Sequence, residues 1–173
     1  MRLAPWLGTA IAGAAIVVCA TGLAFARATI GELAPQLIVR ELEGQTFDLA
    51  AMRGKVVIIN YWATWCPPCR KEMPALNAFY QRYHAQGLEM IGLSADRSRD
   101  ESEVRKVMQS FGYPAAMLND AKRNGFGSPT ELPVTYVVDA DGVVRVKLTP
   151  NANPVTETTL NEVVLPLLPT KVR

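Results

Sequence analysis

The chain has 173 residues, 49% of them hydrophobic and 20% charged. That balance excludes a disordered or collagen-like polymer and leaves room for one ordinary domain with a short appendage. Lys and Arg number 18 against 16 Asp and Glu, a net charge of +2 with no basic run, so no nucleic-acid partner is expected, and three cysteines are too few for a small disulfide scaffold.

Residues 3–26 read LAPWLGTAIAGAAIVVCATGLAFA, with no charge between Arg2 and Arg27. This is longer than the roughly 20 residues that cross a bilayer core. The stretch reads as one N-terminal apolar helix, and two roles stand for it. One is a membrane anchor whose positive end stays in the cytoplasm. The other is a secretory signal peptide, because Ala24-Phe25-Ala26 fits an A-x-A cleavage site. Its length exceeds the ~7–15 apolar residues usual in signal peptides, which favours the anchor. A buried core helix would instead show polar positions on one face. Cys19, inside this segment, reads as a small apolar residue. Residues 1–27 thus form a targeting segment, 28–36 a linker with Gly31 and Pro35, and 37–173 the domain.

In the domain, LIVREL and TFDL flank Glu43-Gly44-Gln45, a hairpin signal. Residues 49–54 read as a turn or short helical bridge. VVIINYW at 56–62 is a continuous apolar run with β-branched residues, the signature of a central strand buried on both faces. A turn over 63–68 leads into a helix over 67–84, where Met73, Leu76, Phe79 and Tyr80 recur at three- and four-residue spacing. Gly87 ends it. LEMIGLSA at 88–95 predicts a second strand. Asp100 is placed to cap a helix over 101–111 that Gly112 ends. Residues 113–132 read as irregular, with a helical turn near Lys122. Strands are expected at 134–138 and 143–148, joined by the hairpin turn Asp139-Ala140-Asp141-Gly142, and a last helix over 155–168 is ended by Pro169. No internal repeat is visible. Strand–helix–strand implies a parallel pair with a right-handed crossover, and the later hairpin extends the sheet antiparallel. The expected architecture is α/β, a central mixed β-sheet with helices on both faces.

The chemistry concentrates at Trp65-Cys66-Pro67-Pro68-Cys69. Cysteines at i and i+3 on a first helical turn have Cβ atoms about 5–6 Å apart. A disulfide wants about 3.5–4.5 Å, so a small local adjustment opens or closes the bond. Cys66, at the helix N-terminus, meets unpaired N–H groups and the positive end of the dipole, which lower a thiol from about 8.5 to roughly 3.5–7.5. Cys66 is the expected attacking sulfur and Cys69, one turn in, the resolving one. Pro67 and Pro68 suit the first turn but remove N–H donors from the Cys66 thiolate, which points toward a pair that gives electrons away. A zinc site needs about four ligands, and the remaining candidates are Cys19 and His84. A purely static disulfide would close too small a loop to stabilise the fold much.

NYWATWCPPCRKEMP resembles the active-site segment of the thioredoxin superfamily, specifically the TlpA/ResA-like extracytoplasmic thiol–disulfide oxidoreductases. FDLAAMRGKVVIIN upstream and Leu132-Pro133-Val134-Thr135 with Asp-Ala-Asp-Gly downstream fit the same pattern, so the resemblance spans about residues 35–168. It implies a thioredoxin fold and a redox-active Cys66–Cys69 disulfide with no other cofactor and no metal. It makes Pro133 a cis-proline beside the disulfide, leaving Leu132 backbone groups open to a substrate chain. Pro74 matches a proline inside the helix. Glu72, three residues after Cys69, matches a family glutamate that tunes the cysteines by proton relay or repulsion; the alternative is a solvated surface carboxylate. Asn60 stands where cytoplasmic thioredoxins are expected to carry a buried Asp. Trp65 and Pro67 are expected in an apolar docking surface and Trp62 in the core. Arg70, Lys71 and His84 read as surface residues.

The expected partners are an extracytoplasmic client with a cysteine pair, of the cytochrome c maturation or copper-oxidase assembly kind, and a membrane electron-donor protein. The expected place is the inner membrane with the domain in the periplasm, or soluble periplasm if residues 1–26 are removed. Two other functions stand. One is a thiol peroxidase of the redoxin group, which wants Thr three residues before its cysteine, where this chain has Ala63. The other is a Cu(I) carrier using Cys66 and Cys69 as soft ligands; such a carrier usually adds a distant ligand, and the candidate loop 113–132 holds Met117 but no His or Cys.

Overall fold

The computed structural model describes residues 28–169, and the expected apolar helix over 3–26 lies outside them. Seven strands form one sheet: β1 (Leu37–Glu41), β2 (Thr46–Asp48), β3 (Val56–Trp62), β4 (Leu88–Ser94), β5 (Ala115–Asn124), β6 (Val134–Val138) and β7 (Val144–Leu148). Their order is β2-β1-β5-β4-β3-β6-β7. The β3–β4 and β4–β5 pairs are parallel, and the remaining pairs are antiparallel. Every residue of β3 is buried, as its unbroken apolar run requires of a central strand. Helices α1 (Pro67–Tyr83), α2 (Glu101–Met108) and α3 (Glu157–Val164) complete the fold.

The three α-helices share one face, not two. The buried apolar residues of α1, α2 and α3 meet Val56, Ile58 and Trp62 of β3 in a single core. The reason is the winding: β3, β4 and β5 step across the sheet in one direction, and right-handed crossovers then put α1 and α2 on the same side. On the opposite face Val57, Ile59 and Tyr61 cluster with Leu37 and Val39 of β1, Phe47 of β2 and Leu49 of the 3₁₀ turn Leu49–Met52.

Residues 113–132 also differ from expectation. They contain the ten-residue strand β5 and no helical turn near Lys122. Only its first three residues are fully buried. The rest, LNDAKRN, is polar and lacks β-branched residues, so no period-two pattern announces a strand. Pairing with β1, across two register shifts, holds it. Met117 is thus a buried core residue and not a loop ligand.

Helix ends moved too. α2 stops at Met108, and Asp100 makes no capping bond, because its carboxylate accepts from Arg97 Nε at 2.9 Å. The last helix occupies only Glu157–Val164, capped by Thr156, and continues as a 3₁₀ turn. Pro166 has no N–H to give the Glu162 carbonyl, so the α pattern cannot extend through it.

Candidate active site

The site lies where β3 hands over to α1, at the carboxyl end of the parallel strands, the usual place for function in such sheets. Cys66 is the N-cap of α1 and Pro67 opens the helix. Cys66 and Cys69 are disulfide-bonded, with Cα atoms 5.3 Å apart. An N-terminal turn would offer several N–H groups to the cap, but Pro67 and Pro68 have none. The Cys69 N–H remains and donates to Cys66 Sγ at 3.2 Å.

Cys66 is 4% and Cys69 1% exposed. The two sulfurs differ in what they face. Cys66 lines an apolar groove of about 500 Å³ with Trp65, Pro67, Pro129 and Leu132, and Cys69 does not. Trp65 is 67% exposed over this groove, while Trp62 is fully buried. The Leu132–Pro133 peptide is cis, and Pro133 leads directly into β6, which pairs with β3. The structure therefore brings Trp65, Cys66, Pro67 and Leu132 to one groove; Pro133 follows Leu132 through the cis peptide and is not among the residues that line it.

Glu72 does not share this groove. It is 7% exposed, its Oε1 accepts the Val155 N–H at 3.0 Å, and its Oε2 has no hydrogen-bond partner among the described residues. Burial pushes its carboxyl above the usual range, against the lowering pull of the Val155 N–H. A solvated surface carboxylate is thereby excluded. Asn60 is buried in β3 and its Nδ2 donates to Thr135 Oγ1 at 2.9 Å. Arg70 and Lys71 are exposed. His84 caps α1 as an exposed residue, with Nδ1 3.1 Å from the Leu88 carbonyl oxygen. Among the described residues no three His, Cys, Asp or Glu side chains gather as a metal site.

Sequence reasoning weighed Thr64 only as a peroxidase signal and passed over Ser94 and Asp96, two buried polar residues that bond half-buried Thr64 in the turn that carries Cys66. The available signal was Ser94-Ala95-Asp96, where an apolar strand turns polar at its carboxyl end.

A mixed sheet with a bonded Cys-x-x-Cys pair opening a helix and a cis-proline entering the adjacent strand defines a thiol–disulfide oxidoreductase of thioredoxin fold. The chain belongs to the AhpC/TSA family, whose sequence profile matches residues 30–147, and its relatives include thiol-disulfide oxidoreductases of the ResA type. It is 38% identical over 121 residues to the thiol-disulfide oxidoreductase ResA of Bacillus cereus (strain ZK / E33L), covering 69% of each chain. Among solved structures it resembles a thioredoxin-family thiol:disulfide interchange protein of Chlorobium tepidum TLS, with a TM-score of 0.64 and 27% identity over 82% of this chain and 97% of that one. It also resembles a secreted thiol-disulfide isomerase of Corynebacterium glutamicum, with a TM-score of 0.63 and 26% identity over 79% of this chain and 84% of that one.

Proposed function

We propose that the chain is a disulfide reductase acting on cysteine pairs of extracytoplasmic proteins. The observation that carries this direction is the proline pair. With Pro67 and Pro68 in the first turn, the Cys69 N–H is the donor left to Cys66 Sγ. A thiolate with so little support is a poor leaving group, and the reduced pair gives up electrons readily.

The reaction runs in two exchanges. The Cys66 thiolate attacks one sulfur of the client disulfide, an S–S bond forms between them, and the other client sulfur leaves as thiolate. Cys69, after losing its proton, attacks Cys66 Sγ and expels the second client thiolate. The client gains two electrons and, once its thiolates are protonated, two protons; the enzyme is left with the Cys66–Cys69 disulfide. A dithiol on a membrane electron-donor protein resets it by the same exchange in reverse.

The groove beside Cys66 receives the client chain, with Trp65, Pro67 and Leu132 as contacts and Pro133 holding the loop. Residues 3–26 anchor or export the domain, a location supported by their uncharged apolar sequence and by a relative described as secreted. Clients of the cytochrome c maturation or copper-oxidase assembly kind fit, since they need free thiols in an oxidising space. The test is a trap. Cys69→Ala, expressed in its host, should hold a client on Cys66 through a bond that dithiothreitol releases, and Cys66→Ala should hold none. Absence of any such adduct would overturn the reading.

A further inference from the structure

Asp96 follows β4 and is 2% exposed. Among the described residues no Lys, Arg or His forms an ion pair with it. Its side-chain oxygens are met by hydrogen bonds instead. Oδ2 accepts the Thr64 N–H at 2.9 Å and the Ser94 hydroxyl at 2.7 Å. Oδ1 accepts the Thr64 hydroxyl at 2.6 Å. The Asp96 N–H returns a bond to Ser94 Oγ at 3.1 Å. Both donors of Thr64, main chain and side chain, thus end on one carboxylate. An ionised carboxyl offers two acceptor oxygens, whereas an amide of the same shape offers one.

Thr64 lies two residues before Cys66. The turn between them is tied at each end: the Ala95 N–H donates to the Trp62 carbonyl at 2.8 Å, and the Cys66 N–H to the Ala63 carbonyl at 3.2 Å. While the disulfide is closed, Cys69 also holds Cys66. Once it opens, that covalent tie is gone, and Cys66 is held on the helix side by hydrogen bonds from the Cys69 N–H to its sulfur and the Arg70 N–H to its carbonyl, and on the other side by the turn.

We propose that Asp96 is a positioning residue for the thiol chemistry: acting through Thr64, it holds the Ala63–Cys66 turn so that the reduced Cys66 sulfur stays presented to the groove. The inference rests on the reading of Cys66 as the attacking sulfur. Its signature is that Thr64 and Asp96 act as one unit, and that the hydroxyl of Thr64, not its shape, is what matters.

The test uses the full chain in its reduced form and measures the rate at which iodoacetamide alkylates Cys66, at a temperature where melting curves show each variant folded. This readout needs no client, so a chain that alkylates normally yet reduces no disulfide would sink the proposed function and leave this test intact. Thr64→Val should react about tenfold more slowly, because the sulfur is no longer held in a reactive pose. Thr64→Ser, which keeps the hydroxyl, should react at the wild-type rate. Asp96→Asn should be slowed at least as much as Thr64→Val, and adding Thr64→Val to it should slow it no further, as expected of two residues acting as one. A wild-type rate for Thr64→Val, or losses in the two variants that multiply, would overturn the proposal. Should Asp96→Asn fail to fold, the comparison of Val with Ser at position 64 decides alone.

Discussion

Glu72 and Val155 are joined by a buried hydrogen bond, in which the Val155 N–H donates to Glu72 Oε1 at 3.0 Å. The bond ties α1, one turn past Cys69, to the segment leading into α3. It satisfies one oxygen and leaves Oε2 without a partner among the described residues, and burial raises the carboxyl's affinity for a proton. The folded state therefore binds this proton more tightly than the unfolded state. The group contributes stability below its unfolded pKa, and that contribution is lost as pH rises through the folded value. Glu72→Gln keeps the acceptor for Val155 and removes the charge. Melting of the oxidised protein, whose cysteines do not titrate, should lose part of its decline with rising pH in this variant. The pH dependence of disulfide exchange should change as well; unchanged profiles in both would leave Glu72 with packing alone.

Asn60 and Thr135 face each other across β3 and β6 and share the 2.9 Å bond from Asn60 Nδ2. Asn60→Asp would put a carboxyl in that buried place, where Asn60 is 1% exposed. A carboxyl so placed stays neutral by raising its pKa. The variant should be less stable than wild type by roughly 1–3 kcal/mol at neutral pH, with the deficit shrinking on acidification. Denaturant titrations at two pH values check this.

Gly92 sits in β4 against two buried rings. A Cβ there would meet Trp62 Nε1 and Tyr113 Cε2, both at 3.1 Å. Trp62 is fully buried and Tyr113 nearly so, so either ring would have to shift within its packing. Gly92→Ala should cost about 1–3 kcal/mol by overpacking, read as a lower denaturation midpoint at unchanged slope.

Trp65, by contrast, is 67% exposed. Trp65→Ala should alter stability by no more than about 0.5 kcal/mol and still weaken reduction of a protein disulfide, chiefly through KM, with little change toward a small disulfide. Equal losses toward both would assign Trp65 to the chemistry of the sulfur and not to docking.

Much of this was legible in the sequence for identifiable reasons. β3 declares itself because a strand buried on both faces must be apolar throughout. α1 does so because its core contacts recur at helical spacing, and the β6–β7 turn because Asp-Gly suits a tight hairpin. The Cys-x-x-Cys pair carries its own geometry. β5 was not legible because its outer half is held by backbone pairing with β1, which leaves no mark on side-chain pattern. The one-sided placement of the helices follows from strand order, which the chain sequence does not display. Asp96 was hidden for a similar reason: a lone acid after a strand reads as a surface residue, and the partner that makes it significant, Thr64, is 32 positions away. Glu72 fell between the two cases, since its helical position was evident but its burial against Val155 depends on the return of the chain before α3.

The most direct test of the account is equilibration of the purified domain in glutathione and dithiothreitol buffers, with the state of Cys66 and Cys69 read by thiol trapping. The pair should open and close reversibly as a two-electron couple, with a midpoint nearer the ~−270 mV of a reducing thioredoxin than the ~−120 mV of a strong oxidant. A bond that stays closed under these thiols, or a midpoint at the oxidising end, would contradict it.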